Sequence, residues 1–167
     1  MERLTLGQAE FADVSAEILA RGSALRFTAH GASMTPFIRD GDLLTLEPVE
    51  VAALETGDVI LCRTTGNGLV AHRLIGRETC TGETLLVVRG DASCGPGERA
   101  RPEHVLGRVV SIQRGSRTIY PDRGWQRLAA LAWLRLSPLR PLLFRLAHAA
   151  GTCLLFIRER SRLRQRR

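Results

Sequence analysis

The clearest absence in this 167-residue chain is lysine, since all 24 basic residues are arginine. Whatever reaction the protein performs, lysine is therefore excluded as its catalytic base. Aromatic residues make up only 5% of the chain, so the core must be built mainly from Leu, Val, Ile and Ala. No apolar run reaches the roughly 20 uninterrupted residues that a membrane-spanning helix needs.

Cysteine motifs are also lacking. The four cysteines form no CxxC motif and no Cys/His spacing typical of metal ligands. We interpret them as reduced thiols, which fits the cytoplasmic side of a membrane better than an oxidising compartment. We expect neither a metal nor an organic cofactor. The N-terminus has no basic segment followed by an apolar run of about 7–15 residues, so no cleavable signal peptide is predicted.

The net charge of +7 is concentrated at the C-terminal end. Residues 1–124 hold 14 Arg against 16 acidic residues, whereas residues 125–167 hold 10 Arg against one, Glu159. Such a basic, partly apolar segment is expected to lie on an anionic membrane surface, on the cytoplasmic face, as a peripheral anchor. A helical hairpin packed on the rest of the chain is the alternative. Nucleic acid is not an expected partner, because aromatic interleaving and a recognisable motif are missing.

The pattern of apolar, turn-forming and basic residues divides the chain into three parts. Residues 1–21 contain an amphipathic run, Phe11–Arg21, which predicts a short helix. Residues 22–120 hold short apolar or alternating runs separated by Gly, Asp, Asn or Pro, which predicts an all-β domain. The GNG of residues 66–68 indicates one of its hairpins. Residues 121–167 are predicted to form a basic amphipathic helical tail.

Ser33 is the candidate nucleophile, because five short blocks follow one another from it in a distinctive order. The first block is Ser33–Pro36 (SMTP), followed eight residues after the serine by a Gly-Asp pair, Gly41–Asp42. The other four blocks are Gly57–Val59 (GDV), His72–Gly76 (HRLIG), Arg89–Asp91 (RGD) and Gly107–Val110 (GRVV). In order and in gap length the blocks resemble the signal peptidase I family, and they extend over about half of the chain.

The resemblance implies a serine endopeptidase that cleaves leader or signal peptides through an acyl-enzyme on Ser33. It also implies a coiled, partly barrel-like β fold and a peptide substrate bound as an extended strand. Members of that family carry lysine or histidine where this chain has His72, and the histidine type includes the endoplasmic-reticulum and sporulation members. Because lysine is absent here and histidine titrates near neutrality, His72 is the predicted general base. His30, three residues before Ser33, is a second candidate.

Asp91 is the predicted third member of the site, with its carboxylate accepting the Nδ1 proton of His72. The alternative is that Asp91 is an ordinary turn aspartate. Histidine-type relatives often carry a second acidic residue further on, and only Glu98 could serve here. Many relatives have a hydroxyl residue at the position of Gly31, so the oxyanion is expected to depend mainly on the backbone N–H of Ser33.

Two alternative hypotheses place these residues in other functional classes. A non-catalytic, membrane-associated binding module could keep the same fold without cleaving peptides. A self-cleaving repressor shares a serine-containing fold of this kind, but it needs a DNA-binding domain ahead of the serine. We do not expect the 32 residues before Ser33, with one helix, to supply such a domain.

Overall fold

The computed structural model describes residues 8–64, 69–80 and 82–136. It is mainly β, with a curled antiparallel half-barrel sheet, a short N-terminal helix and a C-terminal helix, which confirms the predicted fold class. In chain order the helices and strands are α1 (Gln8–Ala20), β1 (Leu25–Thr28), β2 (Leu43–Glu47), β3 (Val59–Arg63), β4 (Leu69–Cys80), β5 (Glu83–Arg89), β6 (Glu98–Ala100), β7 (Val105–Arg114), β8 (Arg117–Ile119) and α2 (Gly124–Arg135).

The strands form one antiparallel sheet in the order β1-β2-β7-β3-β4-β5-β6, and β8 pairs with β7 beside this path. The pairing register shifts at three places, between β2 and β7, between β3 and β7, and between β4 and β5. Such irregularities bend a strand and increase its twist, which accounts for a curled sheet. The predicted hairpin is the β3–β4 pair, and its turn at residues 65–68 lies outside the described residues.

Both faces of the central strand β3 are buried, as its continuous apolar run VILC requires. One face contributes to a cluster of aliphatic side chains, formed by Leu19, Met34, Ile38, Leu44, Leu46, Val59, Leu61, Val109 and Ile112. The other face contributes to a second cluster, formed by Leu54, Ile60, Cys62, Leu74, Leu86, Val88 and Ala100. The core is therefore aliphatic, as the low aromatic content predicts.

Helix α1 packs against β7 at a glycine. A Cβ atom added at Gly107 would lie 2.8 Å from the backbone oxygen of Glu47 and 3.2 Å from Leu19 Cδ1. A side chain there would clash with the backbone of β2 at Glu47, and the end of the Leu19 side chain would have to shift by a few tenths of an ångström. Gly107 thus allows Leu19 to close the first aliphatic cluster.

Helix α2 packs on the β domain although it begins the segment predicted as a tail. Arg127 pairs with Glu55 and lies 3.4 Å from the buried carboxylate of Asp58. A Cβ atom at Gly57 would lie 3.1 Å from Leu131, so the helix approaches this turn closely. By its contacts the chain divides into residues 1–134 and residues 135–167. Most of the predicted tail, residues 137–167, lies outside the described residues, and in the described part no helix is long and apolar enough to cross a membrane.

Candidate active site

Ser33 is exposed in the turn that links β1 to β2. The next residue, Met34, and Ile38 are buried in the first aliphatic cluster and anchor this turn. Backbone hydrogen bonds shape it, from Thr35 N–H to the carbonyl of Ala32 at 3.1 Å and from the N–H groups of Phe37 and Ile38 to the carbonyl of Met34, both at 3.0 Å. The serine hydroxyl is therefore accessible while the backbone on its C-terminal side is held by the core.

His72 lies in β4 with its Nε2 atom 3.2 Å from Ser33 Oγ, and its side chain is only 12% exposed. When Nδ1 carries the ring proton, Nε2 is free to accept the hydroxyl hydrogen of Ser33. Nucleophile and base pairs are often this loosely spaced before substrate binds. The structure thus brings together the serine and the histidine that the sequence singles out.

The other described histidines lie elsewhere. His30 is 82% exposed, and its Nδ1 atom is 3.8 Å from the carboxylate of Asp40. His104 ends a short 3₁₀ helix, Pro102–His104, just before β7. Among the described histidines, the hydrogen-bond contact with Ser33 is made by His72.

Glu98 is the acidic residue that faces the second ring nitrogen of His72. Its Oε1 atom lies 3.4 Å from His72 Nδ1, and the glutamate side chain is 48% exposed. This distance is within the range of an ion pair but beyond that of a well-formed hydrogen bond. Nδ1 is buried and has no hydrogen-bond partner among the described residues, so Glu98 is the acceptor placed to receive a hydrogen bond from Nδ1–H.

Asp91 is placed differently from the prediction, because its carboxylate is held by Arg73. Arg73 donates from Nε at 2.8 Å and from Nη2 at 2.6 Å, and the two side chains are 1% and 0% exposed. A third bond runs from Arg73 Nη1 to the carbonyl of Gly57 at 2.7 Å. Two buried, paired charges in bidentate geometry form a structural link between β4 and the end of β5. Asp91 acts on His72 through its charge, while Glu98 takes the position that was expected for Asp91.

Gly90 lets the turn after β5 lie directly against the Ser33–His72 pair. A Cβ atom at Gly90 would be 2.6 Å from the backbone oxygen of Ser33 and 3.2 Å from His72 Nε2. The same carbonyl of Ser33 accepts a hydrogen bond from Ala92 N–H at 2.8 Å. The RGD block therefore supplies the close approach at Gly90 and the buried aspartate, and Ala92, the residue after it, supplies the backbone support for the serine.

Burial lowers the pKa of His72 below its ordinary value of 6.5, and the negative charges of Glu98 and Asp91 offset part of that shift. A lowered pKa means that the imidazole is neutral at pH 7. Neutral imidazole is the form that can accept the serine proton. The electrostatic surroundings of His72 thus suit a general base near neutral pH.

If Ser33 and His72 act as nucleophile and base in peptide cleavage, the Glu98→Gln variant is expected to shift the acid limb of the pH–rate profile to lower pH. Glutamine removes a charge that raises the pKa of His72, so the histidine loses its proton at a lower pH than in the wild type. The plateau of kcat/KM should fall about 10-fold, the scale of one hydrogen bond to a charged group. Peptide cleavage measured between pH 4.5 and about 8 tests both effects. Glu103→Gln, at another exposed glutamate, is the control, and an unchanged profile for Glu98→Gln would exclude Glu98 from the site.

Comparisons with known proteins return no match: no protein-family model matches this chain, and neither does any curated protein. The functional assignment therefore depends on the geometry around Ser33 and on the order of the sequence blocks.

Two residues at the site were not predicted from the sequence: Arg73, and Trp133 of α2, whose indole N–H donates a hydrogen bond to the backbone oxygen of Asp91. A signal for Arg73 exists in the run LVAHRLI, since an arginine inside an apolar strand needs a carboxylate when it is buried. Trp133 has no comparable signal, because its neighbours in α2 are ordinary helix residues.

Proposed function

We propose that this protein is a serine endopeptidase in which Ser33 is the nucleophile and His72 the general base. The observation that supports this most directly is the contact between an exposed serine hydroxyl and a largely buried imidazole, 3.2 Å from Oγ to Nε2. Glu98 at Nδ1 completes an arrangement in which the base itself has an acidic partner. The site needs no metal or organic cofactor for amide hydrolysis.

The reaction begins when His72 Nε2 takes the hydroxyl proton of Ser33 as Oγ attacks the carbonyl carbon of the peptide. The backbone N–H of Ser33 is the expected donor to the oxyanion, because Gly31 has no hydroxyl to contribute. His72 then gives its proton to the leaving amine, and the C–N bond breaks to leave an acyl-enzyme. Water, deprotonated by the same imidazole, attacks the acyl carbon; the bond from that carbon to Oγ breaks, and His72 returns the proton to Oγ, which restores Ser33 and releases the carboxylic acid.

The substrate class follows from the resemblance to the signal peptidase I family. We propose leader or signal peptides, bound as an extended strand near the site. In the described sheet β1 is an edge strand, and the chain runs from its end directly into the turn that carries Ser33. An edge strand offers unpaired backbone groups to an extended peptide.

Covalent labelling with a fluorophosphonate distinguishes a peptidase from a binding module on the same fold. We expect Ser33 to be the labelled residue, since its oxygen displaces fluoride at phosphorus only when a base activates it. His72→Ala should lower the labelling rate at least about 10²-fold. His72→Lys should retain more activity than His72→Ala, with the activity shifted to higher pH, because lysine must lose its proton before it can act as a base.

Mass spectrometry of the labelled protein gives both the site and the rate. His104→Ala serves as the matched histidine control and should label like the wild type. Labelling that misses Ser33, or that proceeds equally fast in His72→Ala, would favour the binding-module alternative.

We further propose that the C-terminal segment associates with an anionic membrane surface, on the cytoplasmic face. Residues 137–167 hold 8 Arg against one acidic residue, so the whole net charge of +7 comes from them. Each arginine near such a surface contributes about 1 kcal/mol.

Changing the six arginines of residues 158–167 to glutamine in the full chain should abolish binding to anionic vesicles. Sedimentation with phosphatidylglycerol vesicles, with phosphatidylcholine vesicles as the control, measures this. The wild type should bind less as salt is raised, because ions screen the arginines. Equal binding to both vesicle types would show that charge is not the attraction.

A further inference from the structure

Helix α2 reaches the candidate site through Trp133. The indole Nε1–H donates a hydrogen bond to the backbone oxygen of Asp91 at 2.9 Å. The indole also packs edge-to-face on Phe37, with ring centroids 6.1 Å apart and an interplanar angle of 76°. Phe37 belongs to the turn that carries Ser33, and Asp91 to the turn that supports it. One side chain therefore contacts both segments, the first through the ring of Phe37 and the second through the backbone of Asp91.

The two segments are joined to the Ser33–His72 pair by short, direct contacts. Ala92 N–H, one residue beyond Asp91, donates to the carbonyl of Ser33 at 2.8 Å. The carboxylate of Asp91 holds Arg73, the residue after His72 in β4. Because each contact involves the backbone or a fully buried side chain, a shift of the Asp91 turn is passed on to Ser33.

The same residues form a closed ring. The guanidinium carbon of Arg73 lies 5.0 Å from the centroid of the Phe37 ring, within the range of a cation–π contact. Trp133 contacts Asp91, Asp91 binds Arg73, Arg73 covers Phe37, and Phe37 packs on Trp133. We call these four residues the support ring, in which the link from Trp133 to Asp91 is to the backbone and the other three links join side chains.

We propose that Trp133 is a positioning residue of the active site and that α2 is part of the catalytic unit, an inference that rests on the proposed peptidase function. Its indole N–H fixes the turn of residues 90–92, and that turn fixes the carbonyl of Ser33. Catalysis is sensitive to such placement, since a displacement of about 1 Å can lower a rate by about 10²-fold. Trp133 touches no reacting atom and acts through Asp91 and Ala92.

The Trp133→Phe variant separates the hydrogen bond from the packing. Phenylalanine keeps an aromatic ring against Phe37 but has no N–H to give to Asp91. We expect kcat for a short soluble peptide to fall about 10-fold while KM changes little, because the substrate edge is untouched. Amide exchange of Ala92, followed by NMR in the full chain, should become about 10-fold faster.

Trp125→Phe is the matched control. It makes the same chemical change in the same helix, at a tryptophan that is 71% exposed. Both its kcat and its Ala92 exchange should equal those of the wild type. The thermal unfolding temperature of each variant, measured in parallel, shows whether the fold is kept.

The amide exchange measurement keeps this inference separate from the proposed function. If the wild type cleaves no peptide, the peptidase proposal fails, and Ala92 exchange still decides whether Trp133 holds the turn. If the wild type is active and Trp133→Phe matches it in kcat and in Ala92 exchange, the positioning role is overturned. A fall in kcat with a rise in KM and unchanged Ala92 exchange would also overturn it, because the effect would then come from substrate binding.

Discussion

Replacing Ser33 with alanine is expected to abolish peptide cleavage, by roughly 10⁴-fold or more, without destabilising the fold. The hydroxyl is the only group on this side chain that can form the acyl-enzyme. Its loss costs the fold little, because Ser33 is exposed and the turn is anchored by the buried side chains of Met34 and Ile38. The effect should appear in kcat, since binding of an extended substrate depends on other residues.

Cleavage of a fluorogenic leader peptide, together with thermal unfolding, measures both parts of this expectation. Ser116→Ala is the matched control, since Ser116 is another exposed serine, in the turn between β7 and β8. It should cleave and unfold like the wild type. Wild-type cleavage by Ser33→Ala would refute the assignment of the nucleophile. If Ser33→Ala is inactive, comparing new protein N-termini by proteomics in cells that carry the wild type or Ser33→Ala identifies the natural substrates.

Replacing Asp91 with asparagine is expected to lower the free energy of unfolding by about 3–5 kcal/mol. Asparagine has nearly the shape of aspartate but no charge, so the guanidinium of Arg73 remains buried with no counter-ion. The Arg73 side chain is only 1% exposed and cannot reach water without breaking its hydrogen bond to the carbonyl of Gly57. Unfolding by urea, extrapolated to water, measures the loss.

Two further variants identify the cause of that loss. Glu98→Gln should change stability by less than about 1 kcal/mol, because its contact with His72 is partly exposed. Arg73→Met combined with Asp91→Leu should recover much of the stability, since an apolar pair removes both buried charges. If Asp91→Asn instead lost activity with no loss of stability, Asp91 would be the partner of His72 after all, and Glu98 would not.

Local patterns in the sequence were enough to predict the fold class and several elements. Short apolar or alternating runs predicted strands, and the structure has strands at β2, β3, β5 and β7 among others. Side chains of a strand alternate between its faces, so an alternating run fits a strand with one buried face and a continuous run such as VILC fits a strand buried on both. Apolar residues three and four positions apart predicted α1, because residues at that spacing lie on the same face of a helix. The short β6 was missed, since three residues carry too little pattern to recognise.

Composition alone determined that the catalytic base could not be lysine. The order of short blocks then selected Ser33 and His72 from the other serines and histidines. The sequence did not determine which carboxylate faces His72. Asp91 and Glu98 are seven positions apart on the chain, and their spacing is compatible with either role.

Only the tertiary structure decided between the two carboxylates. β6 pairs with β5, with Glu98 opposite Val88, and the curl of the sheet brings this edge to the imidazole. Asp91 is turned instead toward Arg73, because a buried guanidinium needs a counter-ion and a neutral imidazole does not. The tertiary structure also placed Trp133 behind the serine. Periodicity shows that a helix has an apolar face, but which surface that face covers depends on contacts between residues far apart in the chain.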